Sequence, residues 1–149
     1  MNYWIFKCNP LIFDIDERLK NPEQGTTWQV KQFKKDIKKG DRAFIWRCGK
    51  NLGIIGLMDV VSNPQNMHEL EHELKYYEKP DLERKLRVEG KFIYKFDCIK
   101  KKDLEIIHGL NSLPVFYGVQ RGTNFEVNEF DGKKLEGIIL TQPNLEIFT

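Results

Sequence analysis

The sequence predicts an α+β domain built around a curved, barrel-like sheet. Three observations lead there. Short runs rich in aromatic and β-branched residues alternate with polar neighbours, as half-buried strands do. Turn residues such as Asn9-Pro10 and Gly49-Lys50-Asn51 separate those runs. Helical spacing is confined to two or three short stretches, so helices flank the sheet rather than form a layer of their own.

In chain order, YWIFKC reads as a first strand stopped by Asn9-Pro10, and Asp14 or Asp16 starts a brief helix ended by NPEQG. Trp28 and Val30 alternate as a short strand. Phe33 and Ile37, four apart, predict a short helix ending at Gly40. RAFIWRC and LGIIGLMDVVS flank the tight polar link GKN and predict a β-hairpin. Residues 62–80 are highly charged and read as an exposed, variable loop or short helix with no apolar face. Alternation then resumes at Leu86 and Val88 and continues through Phe92, Tyr94, Phe96 and Cys98, with Gly90 between them predicting a bulge or bend. DLEIIHGL reads as one or two helical turns and RGTNFEV as a last strand. Asn128 caps a final helix, with Asp131 placed for a capping-box-like contact.

Composition narrows the function classes. The chain has 149 residues, 40% of them hydrophobic and 31% charged, which fits one folded domain, 1–149, with a core of its own. A net charge of +2 does not by itself demand a nucleic-acid partner. Cys8, Cys48 and Cys98 are odd in number and lack CxxC spacing, so a reduced, cytoplasmic setting is expected and a zinc knuckle is not. No apolar run has the length of a membrane span. No membrane association and no cofactor are expected.

Two chemistries compete for the remaining residues. HELEH satisfies the letters of HExxH and would place His68 and His72 on one face of a helix, as in a metal-dependent hydrolase, yet it lies in a polar segment without a third ligand. His108 stands alone. No phosphate-binding glycine loop of known spacing occurs. The other chemistry is recognition of a nucleobase, which calls for flat side chains plus amides or backbone groups at the base edge. Trp28, after the loop GTT, and Asn9, at the end of the first strand, are positions from which a side chain can project into a cleft; core packing is the competing reading for Trp28. Trp46 and Trp4 read first as core. The lysines around 31–39, Lys34 and Lys35 among them, either track phosphates or form a solvated face.

Taken in order, YWIFKCNP, Trp28-Gln29-Val30, IKKGDRAFIW, GIIGLMDVVSNP and RGTNFEV resemble the EVE domain, a member of the PUA-like superfamily related to the YTH readers. The resemblance spans almost the whole chain, and the order of the pieces carries it more than any single motif. It implies a PUA-like mixed β pseudo-barrel and a non-enzymatic aromatic pocket for a flipped, often modified base of DNA or RNA. Lys7-Cys8-Asn9 is similar to a Lys-Ser-Asn step in the YTH relatives, which implies Asn9 as an edge contact; Cys8 departs from it by replacing a hydroxyl with a weaker donor. Trp28 matches the first aromatic wall, with Trp46 behind it. Arg121 is implied as a phosphate contact, with Gln120 and Thr123 beside it at the base. Tyr76 or Tyr77 is a candidate for a further wall. A protein partner, as in an accessory module of a nuclease or modification system, is the alternative from a different class.

Overall fold

The computed structural model describes residues 1–107, 109–110, 113–116 and 122–148. The strands are β1 (Tyr3–Cys8), β2 (Thr26–Gln29), β3 (Arg42–Arg47), β4 (Gly53–Val60), β5 (Gln65–Met67), β6 (Lys85–Lys100), β7 (Asn124–Val127) and β8 (Glu146–Ile147). They form one mixed sheet in the order β2-β6-β4-β3-β1-β7, with β5 and β8 also paired to β6. Among the described residues, only β1 and β3 pair in parallel; the other pairings are antiparallel. The sheet curls into a half-barrel, and the helices α1 (Ile15–Arg18), α2 (Lys101–Glu105) and α3 (Glu129–Ile139) flank it. Among the described residues, no helix is long and apolar enough to cross a membrane.

Central strands bury both faces. In β1, Tyr3 and Ile5 join a cluster with Phe44, Trp46 and Leu135, while Trp4, Phe6 and Cys8 point into a second cluster with Ile15, Trp28 and Ile45. Strand alternation therefore sorts one strand's side chains into two cores. Helix α3 docks through Gly132, where an added Cβ would lie 2.2 Å from the Tyr3 ring. Its start matches expectation: the Asp131 amide donates to Asn128 Oδ1 at 2.8 Å, and Asn128 Nδ2 donates to Asp131 Oδ2 at 2.9 Å. Asp14 caps α1 with a single bond, its Oδ1 accepting the Glu17 amide at 3.2 Å.

Three local expectations are corrected. Residues 33–40 form turns rather than a helix: Phe33 takes φ +56°, and the Asp41 carboxylate draws the Lys38 amide away at 2.9 Å while also binding the Trp4 indole N–H at 2.9 Å. A buried acceptor outcompetes a second helical turn. Gly90 does not break β6, which runs uninterrupted; the register with β4 shifts instead between Ile54 and Gly56 and between Leu57 and Met58. Gly90 leaves room for Met58, whose methyl carbon would lie 2.8 Å from an added Cβ. Residues 62–80 carry β5 and a 3₁₀ helix (Glu71–Tyr76), and two of their carboxylates, Glu69 and Glu73, are buried. Arg18 on α1, 1% exposed, meets Glu73 at 2.9 Å and ties this segment to the domain through a buried ion pair.

Candidate functional site

Because β1 and β3 are parallel and in register from Tyr3↔Arg42 to Cys8↔Arg47, their carboxyl ends meet at one edge of the sheet. A cavity of about 840 Å³ opens there. Lys7, Cys8 and Asn9 enter it from the end of β1, Trp46 and Cys48 from the end of β3, and Thr27, Trp28 and Gln29 from β2. Thr123 closes it ahead of β7, and Tyr77, Asp81 and Arg87 line another side.

Trp28 is core and wall at once. Its side chain is 8% exposed and belongs to the second core cluster, and its centroid lies 6.2 Å from that of Phe6. The indole N–H donates to the Lys7 carbonyl at 3.2 Å, which fixes the ring's orientation against the end of β1. The ring therefore has a fixed place in the cavity wall. Trp46, 2% exposed, lies within the first core cluster and reaches the same cavity.

Asn9 is exposed, and its Oδ1 accepts the Leu11 amide at 3.0 Å, closing an Asx turn. With that oxygen engaged, the Nδ2 hydrogens are the part of Asn9 directed to other partners. Cys8 is buried with its thiol 3.7 Å from the Phe13 carbonyl. Burial, with smaller contributions from Cys48 and Asp16, pushes the Cys8 thiol far above its ordinary value, and burial also raises Cys48. Both stay protonated and are poor nucleophiles.

A carboxylate network braces the cavity. Glu69, 8% exposed, accepts from Thr27 Oγ1 at 2.5 Å, from the Tyr77 hydroxyl and from Arg87 at 3.3 Å. Arg87 also binds Asp81 at 2.5 Å, and Lys85 lies 3.0 Å from the same carboxylate. Burial works to raise the Asp81 pKa, but the Lys85 hydrogen bond and the charges of Lys85 and Arg87 outweigh it and hold it below the usual value. Burial, then the Glu69 hydrogen bond, keeps the Tyr77 phenol protonated. Tyr77 is thus the tyrosine in the lining, while Tyr76 packs near Phe13 and Arg18.

A second brace joins the turn after β2 to the start of β7. Asn124, 2% exposed, accepts the Lys31 and Gln32 amides on Oδ1 at 2.8 and 3.2 Å, and Gln32 Oε1 accepts the Thr123 and Asn124 amides at 2.9 and 3.0 Å. This reciprocal clasp holds Lys31 and Thr123 at the cavity. Neither Asn124 nor Gln32 was singled out from the sequence, because their long-range partners leave no local spacing to detect.

Of the residues singled out from the sequence, Asn9, Trp28, Trp46 and Thr123 come together in the cavity. Lys34 and Lys35 are exposed on the turn outside its lining, where Lys31, Lys7 and Lys101 stand instead. Gln120, Arg121 and His108 lie outside the described residues. His68 precedes the 3₁₀ helix and His72 lies in it, so their spacing does not put them on one α-helical face. His68 Nδ1 sits 3.2 Å from the Leu82 carbonyl and His72 Nε2 2.7 Å from the Gly25 carbonyl. Among the described residues, no three His, Cys, Asp or Glu side chains group as a metal site.

A mixed half-barrel with flanking helices and a cavity at the ends of its two parallel strands defines an α+β protein of the PUA-like class. Within that class the chain belongs to the EVE domain family, whose model matches residues 2–138. Human THYN1 in complex with 5-methylcytosine-containing DNA has the same fold, with a TM-score of 0.68 and 19% identity over 96% of this chain and 100% of that one. The DUF55 domain of human thymocyte nuclear protein 1 matches with a TM-score of 0.65 and 21% identity, covering 91% and 97% of the two chains. A hypothetical protein from Leishmania major gives 0.68 and 19%, covering 93% and 94%. No curated protein matches the sequence.

Proposed function

We propose that the protein is a non-catalytic nucleic-acid-binding module that takes a flipped, modified base into the cavity at the ends of β1 and β3. The observation that carries this reading is the Trp28 indole, held by its N–H in the wall of a cavity roomy enough to admit a base. Trp28 stacks on the base, and the Asn9 amide hydrogens donate to an acceptor on its edge. Thr123 and Gln29 contribute further polar groups, and Trp46 backs the site. Arg121, Lys31, Lys7 and Lys101 hold the phosphates, with Gln120 beside the base and Lys34 and Lys35 more peripheral. The complex of the THYN1 neighbour with 5-methylcytosine-containing DNA supports a nucleic-acid ligand, and the protonated, buried Cys8 supports a site that binds rather than reacts.

The phosphate contacts have a direct test. Each lysine that neutralises a duplex phosphate steepens the dependence of log K on log salt by about 0.9. Lys31→Ala is expected to make that slope shallower by about one while leaving the preference for a modified base intact. An unchanged slope removes Lys31 from the interface.

A further inference from the structure

At the cavity rim, Leu11 is 77% exposed and its neighbour Ile12 is 59% exposed. Single apolar residues on a surface need no explanation. Two consecutive branched ones on a stiff turn beside a cavity are a different matter. Asn9 Oδ1 holds the Leu11 amide, and the Asn9 carbonyl accepts the Ile12 and Phe13 amides at 3.0 and 3.1 Å. From the other side, the Glu78 amide donates to the Ile12 carbonyl at 3.0 Å and the Asp14 amide to the Tyr76 carbonyl at 2.8 Å. Pro10 further limits the backbone. The turn's polar groups are thus engaged inward, its two apolar side chains stand in solvent, and Ile12 itself lines the cavity.

We propose that Leu11 and Ile12 form a wedge that enters a DNA duplex and fills the gap left by the base swung into the cavity. This rests on the base-binding reading and extends it by naming the ligand class as duplex DNA. Taking a base out of a stacked duplex leaves its neighbours unstacked and its partner unpaired, whereas a single strand has no such gap. A rigid apolar pair beside the receiving cavity is what lowers that cost, because it covers base faces that water would otherwise meet. A flexible loop would lose the gain to ordering entropy. Of the acidic side chains near the turn, Asp14 caps α1, Asp16 is paired with Arg47 at 2.9 Å and Asp81 with Lys85 at 3.0 Å, while Glu78 is exposed. Lys7 and Lys31 line the same cavity.

The test compares Leu11→Ser, which lies outside the cavity lining, with the native chain on matched oligonucleotides, duplex and single-stranded, unmodified or carrying one 5-methylcytosine or N6-methyladenine. 2-Aminopurine next to the target base reports unstacking. The wedge predicts a loss of duplex affinity of about tenfold or more, a change under about twofold on single strands, and loss of the 2-aminopurine rise. Leu11→Phe, which keeps an apolar wedge, retains duplex binding. Leu11 is exposed, so the thermal midpoint stays within a few degrees of the native value. Equal losses on duplex and single strand, no loss on either, or native binding confined to single strands overturns the wedge but leaves the base-binding cavity standing. No binding by the native chain to any oligonucleotide overturns both.

Discussion

Replacing Arg18 with methionine is expected to lower the stability of the domain by about 3–5 kcal/mol, the cost of breaking a buried ion pair from one side. Arg18 is 1% exposed and Glu73 fully buried. Besides Glu73, the guanidinium donates to the carbonyls of Asn21, Gln24 and Gly25 at 2.6, 2.7 and 2.9 Å, and it sits 5.0 Å from the Phe92 ring centroid. One side chain therefore organises the loop leading into β2 and anchors the 3₁₀ helix to α1. Methionine preserves the packing volume but leaves the buried Glu73 carboxylate without its cation and takes the guanidinium donor from three carbonyls. In urea the midpoint should fall by about 1.5–2.5 M if the slope stays near 2 kcal/mol/M.

The pH dependence separates this cause from simple loss of packing. Burial already raises the Glu73 pKa against the opposing hydrogen bonds of Thr26 and Arg18. Without Arg18 it rises further above its unfolded value of about 4.3. A carboxyl whose folded pKa is raised favours the folded state fully below its unfolded pKa, and that advantage is lost as pH rises through the folded value. The Arg18→Met chain should therefore lose stability as pH rises from the ordinary glutamate range towards neutrality. In Arg18→Met/Glu73→Met that slope should vanish and part of the lost stability return. A single variant with a flat profile above pH 4 would mean that Glu73 finds another partner.

Trp28→Leu is expected to weaken binding to a modified-base oligonucleotide roughly 5- to 150-fold, the equivalent of one lost aromatic stack of about 1–3 kcal/mol. Leucine is the informative replacement. Trp28 is so deeply set that alanine would also cost about 3–5 kcal/mol of folding stability and confuse the two effects. Trp28→Phe keeps a flat, smaller face and loses the N–H that meets the Lys7 carbonyl, so it should retain more of the affinity than leucine does. Fluorescence or calorimetric titration distinguishes these outcomes. Equal weakening by leucine and phenylalanine would assign Trp28 to orientation of β1 rather than to stacking.

Much of the fold was legible because it depends on local pattern. The alternation in β1 and β3, the GKN link and the Asn128 cap all act within a few residues, and they stand where the pattern put them. What failed depended on distant partners. Phe33 and Ile37 have helical spacing, yet the Asp41 carboxylate, which also holds the Asn2 amide and the Trp4 indole, imposes a different path. The charged segment 62–80 looked solvated because Glu69 and Glu73 pair with Arg87 and Arg18, at separations of 18 and 55 residues. No window of sequence contains both halves of the Arg18 pair.

The candidate site was legible to the same extent. Strand ends and loop exits nominated Asn9 and Trp28, and the family resemblance added Thr123; all three line one cavity, where the parallel pairing of β1 with β3 brings Asn9 beside Trp46. The clasp between Gln32 and Asn124 spans 92 residues and was invisible. So was the role of Arg87, which sits between Leu86 and Val88 where simple alternation places a solvent-facing side chain, yet which is 2% exposed. Lys34 and Lys35 were favoured by a charge run, but the turn that replaces the helix leaves Lys31 at the cavity in their place.

The most direct measurement is the affinity of the native chain for a panel of matched DNA and RNA oligonucleotides, unmodified or carrying methylcytosine, hydroxymethylcytosine or methyladenine, followed by tryptophan fluorescence across a salt series. Preference for one modified base that survives at high salt, and that Trp28→Leu removes, is the predicted result. Binding that is equal for every oligonucleotide and disappears as salt rises would contradict a base-reading cavity, leaving charge alone to account for the interaction.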